Sequence, residues 1–280
     1  MLFLSECGNE GEILKLTMLG TGSAAVTRCY NTCFLLKEKK DCFLVDGGGG
    51  NGILTQLEKA GEDWKNIHDI FVTHKHIDHI LGIIWIVRVI CQGMNQGKYE
   101  GELRVYAHKE LIEILENMLY TLIREKETKL IGKRVHLICV EDGEEKTILQ
   151  RKTVFFDIHS TKAKQFGFTI CLENGGRMTC CGDEPYKEAA EPYAAGSKWL
   201  LHEAFCLYSQ ADIFKPYEKH HSTVLEACRT AEKLGIENLL LYHTEDKNIV
   251  NRKELYTEEG KKVFSGKIYV PEDLETIEIS

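Results

Sequence analysis

The stretch Thr73-His74-Lys75-His76-Ile77-Asp78-His79 sets three imidazoles and a carboxylate within six positions, directly after the strand-like run His68 to Val72. Such groups crowd together unfavourably unless something binds them. In extended chain alternate side chains share a face, so His74 and His76 reach one point, while Asp78 and His79, past a bend, reach another. That spacing predicts two metal ions a short distance apart. Imidazole nitrogen and carboxylate oxygen suit zinc, with manganese and iron as substitutes. A solvated loop that happens to be rich in histidine is the plain alternative, and this density and spacing count against it.

Two ions need more donors than the cluster holds, and three later positions offer them. His159 follows the apolar run Thr153 to Ile158, Asp183 follows a run ending Cys180-Cys181-Gly182, and His243 follows Leu239 to Tyr242. Each stands at the C-terminal end of a strand-like segment, where loops converge and sites are built. Taken singly, each reads as a hydrogen-bonded strand-end residue; with the cluster they complete two coordination shells. Asp46 opens a run of four glycines, Gly47 to Gly50, whose backbone freedom predicts a tight loop beside the histidines. The Lys-Ser/Thr of a phosphate-binding loop is missing there. His68, His108, His136, His202 and His220 find no partners and read as ordinary strand-end or surface residues.

The elements that must position these residues follow from periodicity and turn chemistry. Residues 1–12 form a lead-in, and 13–280 form a single domain. Strands are expected at 13–19, 32–36, 42–45, 68–72, 103–107, 135–140, 152–158, 166–172, 178–181, 199–202, 238–242, 267–270 and 276–279. Helices are expected at 52–60, directly after the histidine cluster, at 109–126, 223–234 and 252–264. This order suggests helices outside two central sheets.

Composition narrows the partners. A chain of 280 residues, 43% hydrophobic, can bury a sizeable core. Its net charge of −8 argues against a broad non-specific grip on nucleic acid, and no DNA-binding module is expected. The eleven cysteines are odd in number and include no Cys-x-x-Cys pair, which fits buried thiols in a reducing cytoplasm. The N-terminus lacks the basic region of a secretory signal. The apolar run Ile80 to Val87, ended by Arg88, is too short to cross a bilayer and reads as a buried helix. A cytoplasmic protein with no membrane partner is expected.

At this point the order of motifs becomes specific. His-x-His-x-Asp-His, an isolated His, a Gly-Asp and a late His resemble the metallo-β-lactamase fold of metal-dependent hydrolases. Leu19-Gly20-Thr21-Gly22-Ser23, Leu44-Val45-Asp46-Gly47-Gly48, Leu201-His202-Glu203-Ala204-Phe205 and His221-Ser222-Thr223 are similar to motifs of its ribonuclease Z branch, from about Leu14 onward. The resemblance implies an α/β (α+β) four-layer αββα sandwich. It also implies a site with His74, His76 and His159 on one metal, Asp78, His79 and His243 on the other, and Asp183 bridging. A water or hydroxide between the ions then attacks a phosphodiester, with Asp78 orienting it or taking its proton. Glu203 and His221 are the implied proton source for the leaving group. Asp46 is expected to fix a ligand histidine. Arg28, Asn31, Ser222 and Thr223 are expected to meet substrate. His76 stands where di-iron redox relatives usually carry Glu, which disfavours redox chemistry. A homodimer is an expectation of the resemblance, since family members are often dimeric.

Departures from the branch bear on substrate. Residues 160–182 leave room for one β-hairpin and no long tRNA-gripping arm. The loop Val26-Thr27-Arg28-Cys29-Tyr30-Asn31 lacks the branch's Pro and Arg, Phe205 replaces a Thr, and Thr244-Glu245-Asp246 puts acid after His243. A small or cyclic phosphodiester or an RNA 3′ end is therefore the expected substrate. A sulfate ester, lactone or thioester is the alternative electrophile, and a non-catalytic metal-binding scaffold or sensor is the reading from another class.

Overall fold

The computed structural model describes residues 13–280, so the expected lead-in at 1–12 lies outside the described residues. The strands are β1 (Leu14–Gly20), β2 (Cys33–Glu38), β3 (Asp41–Val45), β4 (Ile67–Phe71), β5 (Leu103–Ala107), β6 (Val135–Cys139), β7 (Glu145–Ile148), β8 (Arg151–Asp157), β9 (Phe166–Cys171), β10 (Arg177–Cys180), β11 (Trp199–Glu203), β12 (Asn238–Tyr242), β13 (Lys267–Tyr269) and β14 (Thr276–Ile279). They form two seven-stranded sheets, ordered β14-β1-β2-β3-β4-β5-β6 and β13-β12-β11-β10-β9-β8-β7. Each sheet changes character midway. The pairs from β14 to β3 are antiparallel and those from β3 to β6 parallel; β7 to β10 pair antiparallel and β10 to β13 parallel.

Helices cover the outer faces: α1 (Gly52–Lys59), α2 (Ile77–Asn95), α3 (Lys109–Leu122) and the short α4 (Glu125–Thr128) on the first sheet. The short α5 (Glu191–Ala194), together with α7 (Val224–Lys233) and α8 (Arg252–Gly260), packs on the second. A further short helix, α6 (Ala211–Phe214), lies in the β11–α7 connection. Strand alternation builds this layering. In β4, Ile70 packs with the helices while its neighbour Phe71 enters the space between the sheets. There the Phe71 ring meets Phe155 and Phe168 at centroid distances of 4.8 and 5.7 Å. The sequence-derived αββα sandwich is the observed architecture.

Some boundaries differ from the sequence expectation for physical reasons. β7 is a polar Glu-Lys-Thr-Ile segment whose strand character comes from pairing with β8, so no apolar run announces it. α3 ends at Leu122 instead of 126, because Ile123 turns extended (φ −104, ψ 149) and its side chain is buried. α8 likewise stops at Gly260 instead of 264. α2 extends well past the apolar run; its 19 residues are long and apolar enough by composition to cross a membrane, yet 67% of that stretch is buried inside the protein. A helix apolar on most sides is a core helix here.

The layers position one edge. Asp46, Ala204 and His243 directly follow β3, β11 and β12, and Thr73 and Asp183 come shortly after the ends of β4 and β10. Bonds between the two sheets tie these ends together: Phe166 N–H donates to Thr73 O (3.1 Å), Ser23 N–H to Thr244 O (2.9 Å) and Thr244 N–H to Thr21 O (3.0 Å).

Candidate metal centre

The histidine cluster is half strand exit and half helix. α2 begins at Ile77, so Asp78 and His79 occupy its first turn instead of a free bend. A carboxylate there is favoured by the unpaired N–H groups and the helix dipole. The glycine loop lies beside it, as its composition predicts. Gly47 N–H donates to His79 O and Gly82 N–H to Gly48 O, both at 2.9 Å. The approach is so close that a Cβ on Gly82 would stand 1.7 Å from the Gly47 carbonyl oxygen. Only glycine at this crossing lets β3 and α2 bring Asp46 to His79.

Two donor groups result. Asp78, His79, Asp183 and His243, all buried, offer ligand atoms that lie within 4.8 Å of one another; His74, His76 and Asp183 do the same. Asp183 belongs to both. His74 Nε2 and His76 Nδ1 are 2.8 Å apart, and Asp183 Oδ2 stands 3.7 Å from His74 Nε2, 3.4 Å from His79 Nε2 and 3.2 Å from His243 Nε2. His79 Nε2 also faces Asp78 Oδ2 at 3.3 Å, yet it is buried without a hydrogen-bond partner. A buried nitrogen orphaned between two carboxylate oxygens fits a divalent cation better than it fits bare protein.

The groups behind the donors fix their orientation. Asp46 Oδ2 lies 2.7 Å from His79 Nδ1 and accepts from Thr73 Oγ1 at 2.8 Å, while Thr73 N–H donates to Asp46 Oδ1. Thr73 Oγ1 is also 2.9 Å from His74 Nδ1, so one threonine and one aspartate address a histidine of each group. Gln165 holds Asp183 from both sides. Its amide donates to Oδ1 at 3.1 Å, and its carbonyl accepts the Asp183 N–H at 2.6 Å. The motifs single out neither Thr73 nor Gln165; Thr73 was legible only as the residue before the first histidine. Asp46, Asp183, His159 and His243 all follow strands, and three of them, Asp46 (φ 57), His159 (φ 54) and His243 (φ 56), take left-handed backbone, a strain that concentrates at functional sites.

The electrostatics match cation binding. Burial alone raises a carboxyl's pKa, but His74 and His243 hold Asp183 well below the usual range, and His79 does the same for Asp78. His74 is pushed well down by burial and by His79, which keeps it neutral as a ligand must be. His79 goes the other way. Burial would lower it, and the Asp46 and Asp78 carboxylates outweigh burial and raise it well above the ordinary value.

Six of the seven expected ligands are thus brought together, and His159 is the one left outside both groups. Its side chain is exposed at the start of the loop after β8. That loop is tied down through its backbone: His159 N–H donates to Asp157 Oδ1 (2.7 Å), and Lys187 Nζ donates to His159 O (2.6 Å). Glu203 and His221 do meet, beside the second group. Glu203 Oε2 is 3.5 Å from His221 Nδ1, and the His221 ring lies 4.9 Å from that of His243. Glu203 is fully buried behind His221, with Ser222 N–H and Oγ donating to Oε1 at 2.6 and 2.7 Å. Burial would raise its pKa, and the His221 contact holds it below the ordinary value.

The four residues expected to meet substrate each have partners within the chain. Arg28 Nη1 donates to the carbonyls of Asp246 and Lys247, and Asn31 Nδ2 to those of Ser23 and Ala24. Ser222 serves Glu203, and Thr223 closes a capping box with Glu226 at the start of α7. The acidic Glu245 and Asp246 are buried loop anchors as well: Asp246 accepts from the N–H groups of Thr27 and Arg28, and Glu245 from that of Asn248.

Fold and donor set define a metal-dependent hydrolase of the metallo-β-lactamase fold, related to ribonuclease Z. The comparisons agree. Ribonuclease Z of Methanothermobacter thermautotrophicus is 26% identical, covering 95% of this chain and 97% of the relative. The metallo-β-lactamase fold protein YhfI from Bacillus subtilis superposes with a TM-score of 0.76 at 20% identity, over 95% of this chain and all of that one. The short form of human tRNase Z gives 0.71 at 21%, over 95% and 99%. Residues 14–262 match the sequence profile described as Anti-Pycsar protein Apyc1, and the chain belongs to that family.

Proposed function

We propose that this protein is a dinuclear phosphodiesterase acting on a small or cyclic phosphodiester. In this reading His74 and His76, with the exposed His159 as the expected third ligand, would hold one ion. Asp78, His79 and His243 would hold the other, and Asp183, common to both groups, would serve each ion. The ions, zinc by their nitrogen-rich donors with manganese or iron as substitutes, supply Lewis acidity that lowers the pKa of water and stabilises charge on phosphoryl oxygens. Asp78 would orient the attacking water or accept its proton. His221 presents Nε2 to the leaving oxygen as proton donor, and Glu203 holds its Nδ1 side. Asp46 and Thr73 keep His79 and His74 in register.

The observation that carries this reading is the pair of donor groups sharing Asp183 with His221 alongside. Substrate size is supported by the interval between His159 and Asp183, which holds only the β9–β10 hairpin and its flanking loops. An RNA 3′ end fits the same chemistry but finds no arm there to grip it. The described cysteines are free thiols, which suits the cytoplasm. The reading also includes one domain over 13–280 and a homodimer, which sedimentation of the metal-loaded chain checks.

The test is turnover by metal-loaded protein of bis-p-nitrophenyl phosphate, a cyclic nucleotide, a precursor tRNA with a 3′ trailer, and a panel of carboxyl and sulfate esters. Hydrolysis of the first two, lost with chelator and restored by zinc or manganese, is expected. Intact phosphodiesters beside a hydrolysed ester would replace the reading with that of an ester hydrolase.

A further inference from the structure

Beside the two donor groups stands a cation that metal binding does not explain. Lys162 lies half-buried on the loop between His159 and Gln165, and its Nζ is 3.5 Å from His221 Nε2. Among the described residues no carboxylate pairs with this ammonium.

The loop that carries it is held in place. Glu184, next to Asp183 and itself 1% exposed, accepts from Ser160 Oγ (2.5 Å), Thr161 N–H (3.2 Å), Lys162 N–H (3.2 Å) and Lys187 Nζ (3.2 Å). Ser160 Oγ accepts in turn from the N–H of Lys162 and of Ala163. Thr161 Oγ1 lies 3.2 Å from His220 Nδ1, which ties the loop to the segment bearing His221. A buried carboxylate therefore anchors the backbone at the position from which the lysine side chain reaches His221.

Charge decides what that ammonium is for. Two divalent ions bring four positive charges against the carboxylates of Asp46, Asp78 and Asp183, with Glu203 facing His221. Those three carboxylates leave a surplus of one positive charge, to which the ammonium adds unless an anion lies between. A phosphodiester carries such a charge, and a neutral ester does not. We propose that Lys162 binds a non-bridging phosphate oxygen of the substrate next to His221, selecting anionic phosphodiesters over neutral esters, with Glu184 as the positioning residue for its loop. This rests on the phosphodiesterase reading above.

The experiment compares metal-loaded wild type with Lys162→Gln, Lys162→Arg and Glu184→Gln. Metal content is measured first, then the affinity for inorganic phosphate by calorimetry, then KM and kcat on bis-p-nitrophenyl phosphate. A charge-assisted hydrogen bond is worth about tenfold to hundredfold in affinity. Lys162→Gln is expected to keep its metal and lose about that much phosphate affinity, with KM rising more than kcat falls. Lys162→Arg should recover most of the affinity. Glu184→Gln should weaken phosphate binding by less, again with metal retained. Wild-type phosphate affinity in Lys162→Gln, or a wild-type protein that binds no phosphate, overturns the proposal. The two readings fail separately: a wild type that binds phosphate through Lys162 yet cleaves no phosphodiester sinks only the function. A wild type that cleaves phosphodiesters with Lys162→Gln unchanged in affinity and KM sinks only the anchor.

Discussion

Asp46 Oδ2 stands 2.7 Å from His79 Nδ1, and this contact decides which nitrogen of His79 faces Asp78 and Asp183. A carboxylate can only accept, so Nδ1 carries the proton and Nε2 is left as the donor atom toward a cation. Asp46→Asn removes the charge while tolerating the left-handed backbone at this position (φ 57). We expect metal affinity to fall by about 10–100-fold. Titration with a competing chelator checks it, and an unchanged affinity would show that His79 orients itself.

Asp183 is the one residue common to both donor groups. Asp183→Ala should therefore abolish stoichiometric binding of both ions, and activity with it. Elemental analysis after gel filtration is the measurement. Two ions retained per chain would contradict the bridging role.

In the metal-free protein His79 is raised well above its ordinary value of 6.5, because the Asp46 and Asp78 carboxylates outweigh burial. A raised histidine stabilises the fold fully below its unfolded pKa, and that contribution is lost as pH rises through the higher folded value. The chelated protein should thus lose stability above neutrality. Metal must expel the same proton, so metal affinity should rise with pH over that window. Calorimetry in two buffers of different ionisation heat reads the released proton; identical apparent enthalpies would mean that none leaves.

How much of this was legible in the sequence depends on what each feature rests on. The strand ends carrying Asp46, His74, Asp183 and His243 were visible because a buried strand is an apolar run that stops abruptly. β7 was not, since Glu145 to Ile148 owe their conformation to the neighbouring β8. The jobs of Arg28, Asn31 and Asp246 were equally hidden. Their type suggests substrate contact or repulsion, while their partners are loop amides and carbonyls more than two hundred residues away for Arg28 and Asp246 and a few residues away for Asn31. Spacing places a residue on an element, and only packing says which way its side chain is spent. His159 makes the same point: its position after β8 is as expected, its exposure is not.

The Gly47–Gly82 crossing predicts a stability effect that reaches the site. A methyl on Gly82 would lie 1.7 Å from Gly47 O, against backbone that cannot swing aside as a side chain could. Gly82→Ala must push α2 from the β3 exit. We expect a loss of about 1–3 kcal/mol or more in unfolding free energy, with weaker metal binding because Asp46 and His79 separate. Denaturant titration of the chelated protein and metal titration of the same variant check both halves. A stable variant with full metal affinity would show that the helix can shift freely.

Glu203 touches His221 and Ser222 and is fully buried, so its part in turnover is exerted through the imidazole. The carboxylate, 3.5 Å from Nδ1, fixes the ring so that Nε2 faces away from it, toward the departing oxygen in the proposed reading. Glu203→Gln keeps the shape and a hydrogen-bonding oxygen for Ser222 while removing that charge. Metal content should stay at the wild-type level, and kcat should fall by about 10–100-fold. Substrates with a good leaving group, such as p-nitrophenolate, need the proton least and should be slowed least. An equal loss for good and poor leaving groups would mean that Glu203 acts on something other than the departing oxygen.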